Sequence, residues 1–268
     1  MSELTVGFIG AGQMARALAS GFVAGKLVDS ARVVAADPFP EAGQQFTQSV
    51  PGSRVLASNA AVVAEADVIV LAVKPQMIAD VMAELASTDK LFVSIIAGTP
   101  LATLSAGLKT ARIIRVMPNT PCLVGAGAAA YALDSGATPA DGDLVGKLLS
   151  SVGIAFELSE RLLDAVTGLS GSGPAYVYTM IEALSDGGVR AGLARPTAAA
   201  LAAQTVLGAA QMVVSTGEHP GVLKDRVTSP GGTTIAGLQV LERHGVRSAL
   251  IDAVEAATNR SQELGQTQ

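Results

Sequence analysis

Near the amino terminus an apolar run at residues 4–9 enters the string Gly10-Ala11-Gly12-Gln13-Met14-Ala15, and an amphipathic stretch follows at once. That succession of strand, G-x-G-x-x-A turn and helix opens a doubly wound α/β sheet. Gly10 permits the tight turn, Gly12 lets the backbone approach a pyrophosphate, and Ala15 allows the helix to sit close to the sheet. The free amides of the first helical turn then face the anion. Ile9, Gly10, Ala11, Gly12, Gln13 and Met14 are therefore candidate contacts of a dinucleotide. An ordinary glycine turn is the competing interpretation, and the ordered strand, turn, helix and second strand weigh against it.

The rest of the first half repeats the alternation. Residues 4–9, 32–36, 54–56, 68–72, 92–96 and 113–116 read as strands, with further strands at 126–133 and 154–158. After Asp164 the β-branched runs thin and alanine-rich segments of helical period take over. Helices are expected at 173–191, 196–216, 233–244 and 246–263, stopped by Gly192 and Gly245, and Gly187-Gly188 should weaken the first. The expected fold class is α/β. A Rossmann-type dinucleotide-binding domain spans residues 1–160, and an all-α domain for substrate binding and dimerisation spans 161–268.

Composition narrows the partners. The net charge of -5 gives no basic footprint for nucleic acid. With 49% hydrophobic and only 15% charged residues, some apolar surface should be covered by another subunit. The single cysteine, Cys122, cannot close an internal disulfide and suits a reducing, cytoplasmic setting. His219 and His244 do not pair with carboxylates at metal-site spacing, so no metal is implied. Residues 1–10 lack a basic start and long apolar core, so no signal peptide is expected. Residues 196–217 carry no charge and match a bilayer in length, but alanine dominates them and Gln204, Thr205 and Gln211 interrupt them, so a buried helix is expected rather than a membrane span.

Asp37 closes the second strand about twenty residues beyond the motif, where a carboxylate accepts hydrogen bonds from the adenosine ribose. A 2′-phosphate there would meet like charge, and Pro38, Phe39, Pro40 and Glu41 offer no cation to receive it, so Asp37 leans towards NADH. A plain capping role is the alternative. Ala72-Val73-Lys74-Pro75 leaves the fourth strand at the carboxyl edge that lines the cofactor crevice. Two more strings precede helices: Thr167-Gly168-Leu169-Ser170-Gly171-Ser172-Gly173-Pro174 and Ser229-Pro230-Gly231-Gly232-Thr233-Thr234. Such helix starts can receive a carboxylate, although for either string taken alone plain capping by Ser172 or Ser229 is the favoured interpretation.

Taken in order, these strings and Met117-Pro118-Asn119-Thr120-Pro121 resemble pyrroline-5-carboxylate reductase over nearly the whole chain. The resemblance implies hydride transfer from NADPH or NADH to the C=N carbon of 1-pyrroline-5-carboxylate, giving L-proline. It also implies that Asn59, Val73, Lys74 and Ala97 touch the cofactor. Gly232, Thr233, Thr234 and Glu160 would lie at the substrate, with Thr167 and Thr234 in the catalytic set. It further implies a homodimer through intertwined C-terminal helices, and a ring of such dimers. Relatives that prefer NADP often carry serine where Asp37 stands, and Arg226 replaces an asparagine, so no role is transferred to Arg226. No histidine or carboxylate pair presents itself as proton donor; an imine that binds already protonated does not require one. A β-hydroxyacid dehydrogenase would need a catalytic lysine in the helical half, where only Lys224 occurs after Lys147. A sensor that kept the fold and lost the chemistry is separated from an enzyme only by turnover.

Overall fold

The computed structural model describes residues 3–85 and 88–266, so Met1 and Ser2, which head the segment expected to lack a signal peptide, lie outside it. The chain packs as two compact units. One comprises residues up to Ser172 together with those from Glu255 onward, and the other is Gly173–Val254.

The first unit is built on an eight-stranded sheet of order β3-β2-β1-β4-β5-β6-β7-β8. Its strands are β1 (Val6–Ile9), β2 (Val33–Ala36), β3 (Arg54–Val55), β4 (Val68–Leu71), β5 (Leu91–Ser94), β6 (Ile113–Met117), β7 (Gly127–Leu133) and β8 (Gly153–Glu157). β1 to β6 pair in parallel, β7 runs antiparallel to β6, and β8 is parallel to β7. Between them run α1 (Gln13–Ala24), α2 (Pro40–Ser49), α3 (Asn59–Glu65), α4 (Ile78–Glu84), α5 (Leu101–Leu108) and α6 (Pro139–Ser150), and the short α7 (Leu163–Val166) follows β8. The strand order places β1 centrally, with β2 and β3 to one side and β4 to β6 to the other, which makes the carboxyl edge of β1 the switch point where a dinucleotide straddles the sheet.

Side chains alternate across this sheet as the pleat requires. Val6 and Phe8 join Leu18, Phe22 and Phe46 in one core, whereas Ile9 joins Ile69, Leu71, Ile78 and Leu104 in the other. Burial on both faces explains the uninterrupted apolar run Val68-Ile69-Val70-Leu71. Burying Leu18 or Phe22 on α1 contributes about 1.5–3 kcal/mol each, enough to fix the glycine turn that precedes them. α6 starts on a reciprocal capping box between Thr138 and Asp141, with Pro139 in its first turn.

The second unit contains α8 (Gly173–Arg190), α9 (Arg195–Thr216), α10 (Pro220–Arg226) and α11 (Thr233–Arg243). The final helix α12 (Val246–Gln266) begins there and ends in the first unit. Gly187-Gly188 does not break α8. A Cβ at Gly188 would lie 3.1 Å from the Cβ of Ala198, so this glycine lets α8 and α9 pack closely. α10 was not anticipated; it is seven residues long and starts at Pro220, with His219 Nδ1 accepting from Gly221 N at 3.1 Å.

The expected burial of the uncharged helix is not met within one chain. α9 forms, but only Ala198 and Ala202 are buried, while Leu207 is 59% and Val214 80% exposed. By length and composition it is the one helix among the described residues that could cross a membrane.

Candidate active site

The dinucleotide turn is assembled from three strand ends. Gly10 holds φ +95°, its N–H donates to Ala36 O at 2.8 Å, and an added Cβ would lie 2.7 Å from Ala72 O. Only glycine tolerates that backbone and that contact. Ala72 N in turn donates to Ile9 O at 2.8 Å, tying β4 to β1 beneath the turn. Gly12 caps α1 with no side-chain hydrogen bond, and a Cβ there would meet nothing within 4 Å. Gln13 and Met14 open the helix. The arrangement leaves helix-start amides and open space on one side, which is the chemistry a pyrophosphate needs.

Asp37 follows β2 directly. Its Oδ2 accepts from Ala11 N at 2.8 Å and its Oδ1 from Phe39 N at 2.9 Å. The capping and ligand roles are compatible, since each carboxylate oxygen keeps a lone pair after one bond. A cavity of about 410 Å³ opens beside it, lined by Gly10, Asp37, Asn59, Val73, Asp80 and Glu84 among others. Asn59 Nδ2 donates to Glu84 Oε2 at 2.8 Å, so the first turn of α3 is fastened to α4 across this cavity. Lys74 and Pro75 begin a 3₁₀ turn (Pro75–Met77) after β4, with Met77 N donating to Lys74 O at 2.9 Å. Ala97 sits exposed on the loop after β5, beside Gly98 at φ +73°. Asp80 and Glu84 line the same cavity from α4, and no motif in the sequence marks them.

Glu160 stands where sequence spacing could not foresee. Its Oε1 accepts from Leu101 N at 2.7 Å, the first amide of α5, and from Arg115 Nη1 at 3.0 Å. The Arg115 side chain is only 8% exposed, and Asp164 lies 3.8 Å from its Nη2. Glu160 thus caps a helix and neutralises a buried cation.

Thr167 opens a π-helical turn, Thr167–Gly171, closed by Ser172 N donating to Thr167 O at 2.8 Å. Its hydroxyl donates to Leu163 O at 2.9 Å, so its single proton points into the preceding turn and not outwards. Turns of this type concentrate at functional sites. In the second unit Gly232 caps α11 without a side-chain bond, after Gly231 at φ +66°. A Cβ at Gly232 would lie 2.2 Å from Ser229 Oγ, so any side chain here would displace that hydroxyl, and Ser229 gives α11 no cap. Thr233 and Thr234 occupy the first turn, where amides have no helical partner. Arg226 pairs with Glu218 at 2.7 Å.

Comparison with known proteins decides the family. The chain is 51% identical to pyrroline-5-carboxylate reductase of Glycine max, over 97% of this chain and 96% of that one. It is 46% identical to the Methanosarcina acetivorans enzyme of the same name, over 99% of each. The chain belongs to the pyrroline-5-carboxylate reductase family. A family description, pyrroline-5-carboxylate reductase dimerisation, matches residues 160–264, and another, NADP oxidoreductase coenzyme F420-dependent, matches residues 5–98. Among solved structures, pyrroline carboxylate reductase of Plasmodium falciparum with NADP bound superposes with a TM-score of 0.89 at 34% identity, covering 99% of both chains. The Coxiella burnetii pyrroline-5-carboxylate reductase gives 0.90 at 36%, covering 97% of this chain and 98% of that one. Membership makes this chain an NAD(P)H-dependent oxidoreductase acting on a cyclic imine, with a helical half of the kind that assembles subunits.

Proposed function

We propose that the chain reduces 1-pyrroline-5-carboxylate to L-proline, with residues 1–160 holding the dinucleotide and 161–268 serving the substrate and the dimer. The observation that carries the cofactor half is the turn itself, open at Gly12 and uncapped at α1. Ile9 to Met14 hold the pyrophosphate; Asp37 and Asn59 serve the adenosine end, and Ala72, Val73, Lys74, Pro75 and Ala97 line the remaining crevice. When bound, the reduced dinucleotide supplies the hydride. Gly232, Thr233 and Thr234 receive the substrate carboxylate on the free amides of α11, a fixed anion receptor that restricts the imine's orientation. Thr234 and the turn carrying Thr167 complete the catalytic set, and Glu160 acts by holding α5 and Arg115. The imine binds protonated, so no side-chain acid is needed.

NADH is the favoured reductant. Asp37, Asp80 and Glu84 share one cavity without a lysine or arginine in its lining, which is unfavourable for a 2′-phosphate. The NADP in the Plasmodium relative belongs to that protein's own pocket. The uncovered apolar flank of α9 is closed by a second copy in a dimer through the C-terminal helices, with a ring of dimers beyond it, in the cytoplasm. Purified protein mixed with the imine and either reduced dinucleotide tests the function: falling nicotinamide absorbance with matching L-proline is expected. Binding of dinucleotide without turnover would leave a sensor instead of an enzyme.

A further inference from the structure

The motif Met117-Pro118-Asn119-Thr120-Pro121 has no part in the chemistry so far. Its asparagine is 8% exposed and joins three segments of the first unit. Asn119 Oδ1 accepts from Ala128 N of β7 at 2.9 Å, and Nδ2 donates to Ser170 O in the π-helical turn at 3.1 Å. Its own carbonyl accepts from Cys122 N at 3.2 Å, which starts the 3₁₀ turn (Thr120–Val124).

The sequence explains why Ser170 needs this donor. Its carbonyl would ordinarily accept from the amide four residues on, but residue 174 is proline and has no N–H. A carbonyl shielded from water and left without a partner costs about 1–3 kcal/mol, and the half-buried position of Ser170 places it towards the low end of that range. One carboxamide supplies the missing donor and satisfies Ala128 with its oxygen; a carboxylate would lack the donor and face the carbonyl with like charge. Packing is tight beside this bridge: a Cβ at Gly171 would lie 2.6 Å from Met117 Cε. β6 ends at Met117 and is parallel to β5, so the bridge lies at the carboxyl edge where the nicotinamide half of a dinucleotide is expected.

We propose that Asn119 is a positioning residue for hydride transfer, fixing the π-helical turn Thr167–Gly171 at the nicotinamide end of the crevice through the Ser170 carbonyl. This rests on the reductase function proposed above. Loss of the amide lets the turn drift, and a displacement of about 1 Å near reacting groups costs up to roughly 100-fold in rate.

The test compares native protein with Asn119→Ala and Asn119→Asp at saturating NADH and imine. Asn119→Ala should lower kcat about 10- to 100-fold while KM for NADH moves less than about threefold. Asn119→Asp is isosteric, and its protonated form restores both bonds, O–H to Ser170 O and C=O from Ala128 N. Its kcat relative to native at each pH should therefore rise about tenfold or more as pH falls through that carboxyl's titration. On the surrounding elements, burial raises the Cys122 thiol and the Tyr131 phenol and keeps both neutral, and Arg115 is paired with Glu160 and Asp164. The ratio to native cancels their contribution and that of imine protonation. Should Asn119→Ala fail to fold, the pH profile of Asn119→Asp decides alone. A pH-independent ratio, or an effect confined to KM for NADH, would overturn the proposal. No turnover by native protein would instead refute the reductase function.

Discussion

Replacing Asp37 by serine isolates the electrostatic part of cofactor choice. The carboxylate is held against the glycine turn by Ala11 N at 2.8 Å and against its own loop by Phe39 N at 2.9 Å, so its charge is fixed beside the cavity. A 2′-phosphate roughly 5 Å from that charge, in a medium between water and the protein surface, is repelled by about 1–3 kcal/mol. The same substitution removes a charged acceptor from the ribose hydroxyls, a bond contributing about 1.5–3 kcal/mol. Salt screening and the open crevice favour the low end of both ranges. A combined change of about 2.5 kcal/mol moves the ratio of kcat/KM for NADPH over NADH about 70-fold towards NADPH. Loss of the Ala11 and Phe39 bonds weakens both dinucleotides alike and cancels in that ratio. Steady-state rates with each reductant, at fixed ionic strength, measure it. A ratio unchanged within about threefold, roughly 0.7 kcal/mol, would refute the role of Asp37.

Two glycines in one motif should part company. A Cβ at Gly12 meets nothing within 4 Å, so for Gly12→Val Tm should stay near native while dinucleotide binding is lost; the Cβ of Gly10→Val strikes Ala72 O at positive φ and should lower Tm. Thermal melts with and without NADH distinguish them, and a destabilised Gly12→Val would contradict the open site. Thr234→Leu should raise KM for the imine with little change in NADH affinity, and an equal loss of both would remove the division of sites. Arg112 beside Asp141, with Thr138 adding further bonds, holds the Asp141 carboxyl down at about 2 against an ordinary 3.8. A depressed carboxyl stabilises the fold fully above its unfolded pKa and loses that contribution as pH falls through the folded value. Asp141→Asn should cost about 2 kcal/mol at neutral pH. That deficit should shrink below about pH 4, and a deficit constant with pH in denaturant titrations would contradict the assignment.

Local chemistry was legible where it is periodic or sterically forced. The Gly10–Ala15 turn, the alternating strands and the long helices are written in residues whose constraints act within a few positions. Strand ends shifted by up to two residues, as at β5, where Ile95 leaves the strand while its N–H still donates to Leu71 O at 3.1 Å. Long-range partners were not legible. Glu160 meets Arg115 and Leu101 across 45 and 59 residues, and neither has a sequence signature. The π-helical turn inserts a residue without altering any apolar pattern, although Pro174 marks the Ser170 carbonyl, which Asn119 pairs in place of the amide four residues on. α9 reads as a buried helix because it carries no charge from Pro196 to Gly217, whereas a single chain covers only one flank of it.

Isotope transfer tests the central claim most directly. Protein incubated with 1-pyrroline-5-carboxylate and NADH deuterated at the transferable C4 position should yield L-proline with one deuterium, on the ring carbon that was double-bonded to nitrogen, in step with dinucleotide oxidised. Dinucleotide oxidation without deuterated proline, or no turnover with NADH or NADPH, would contradict it.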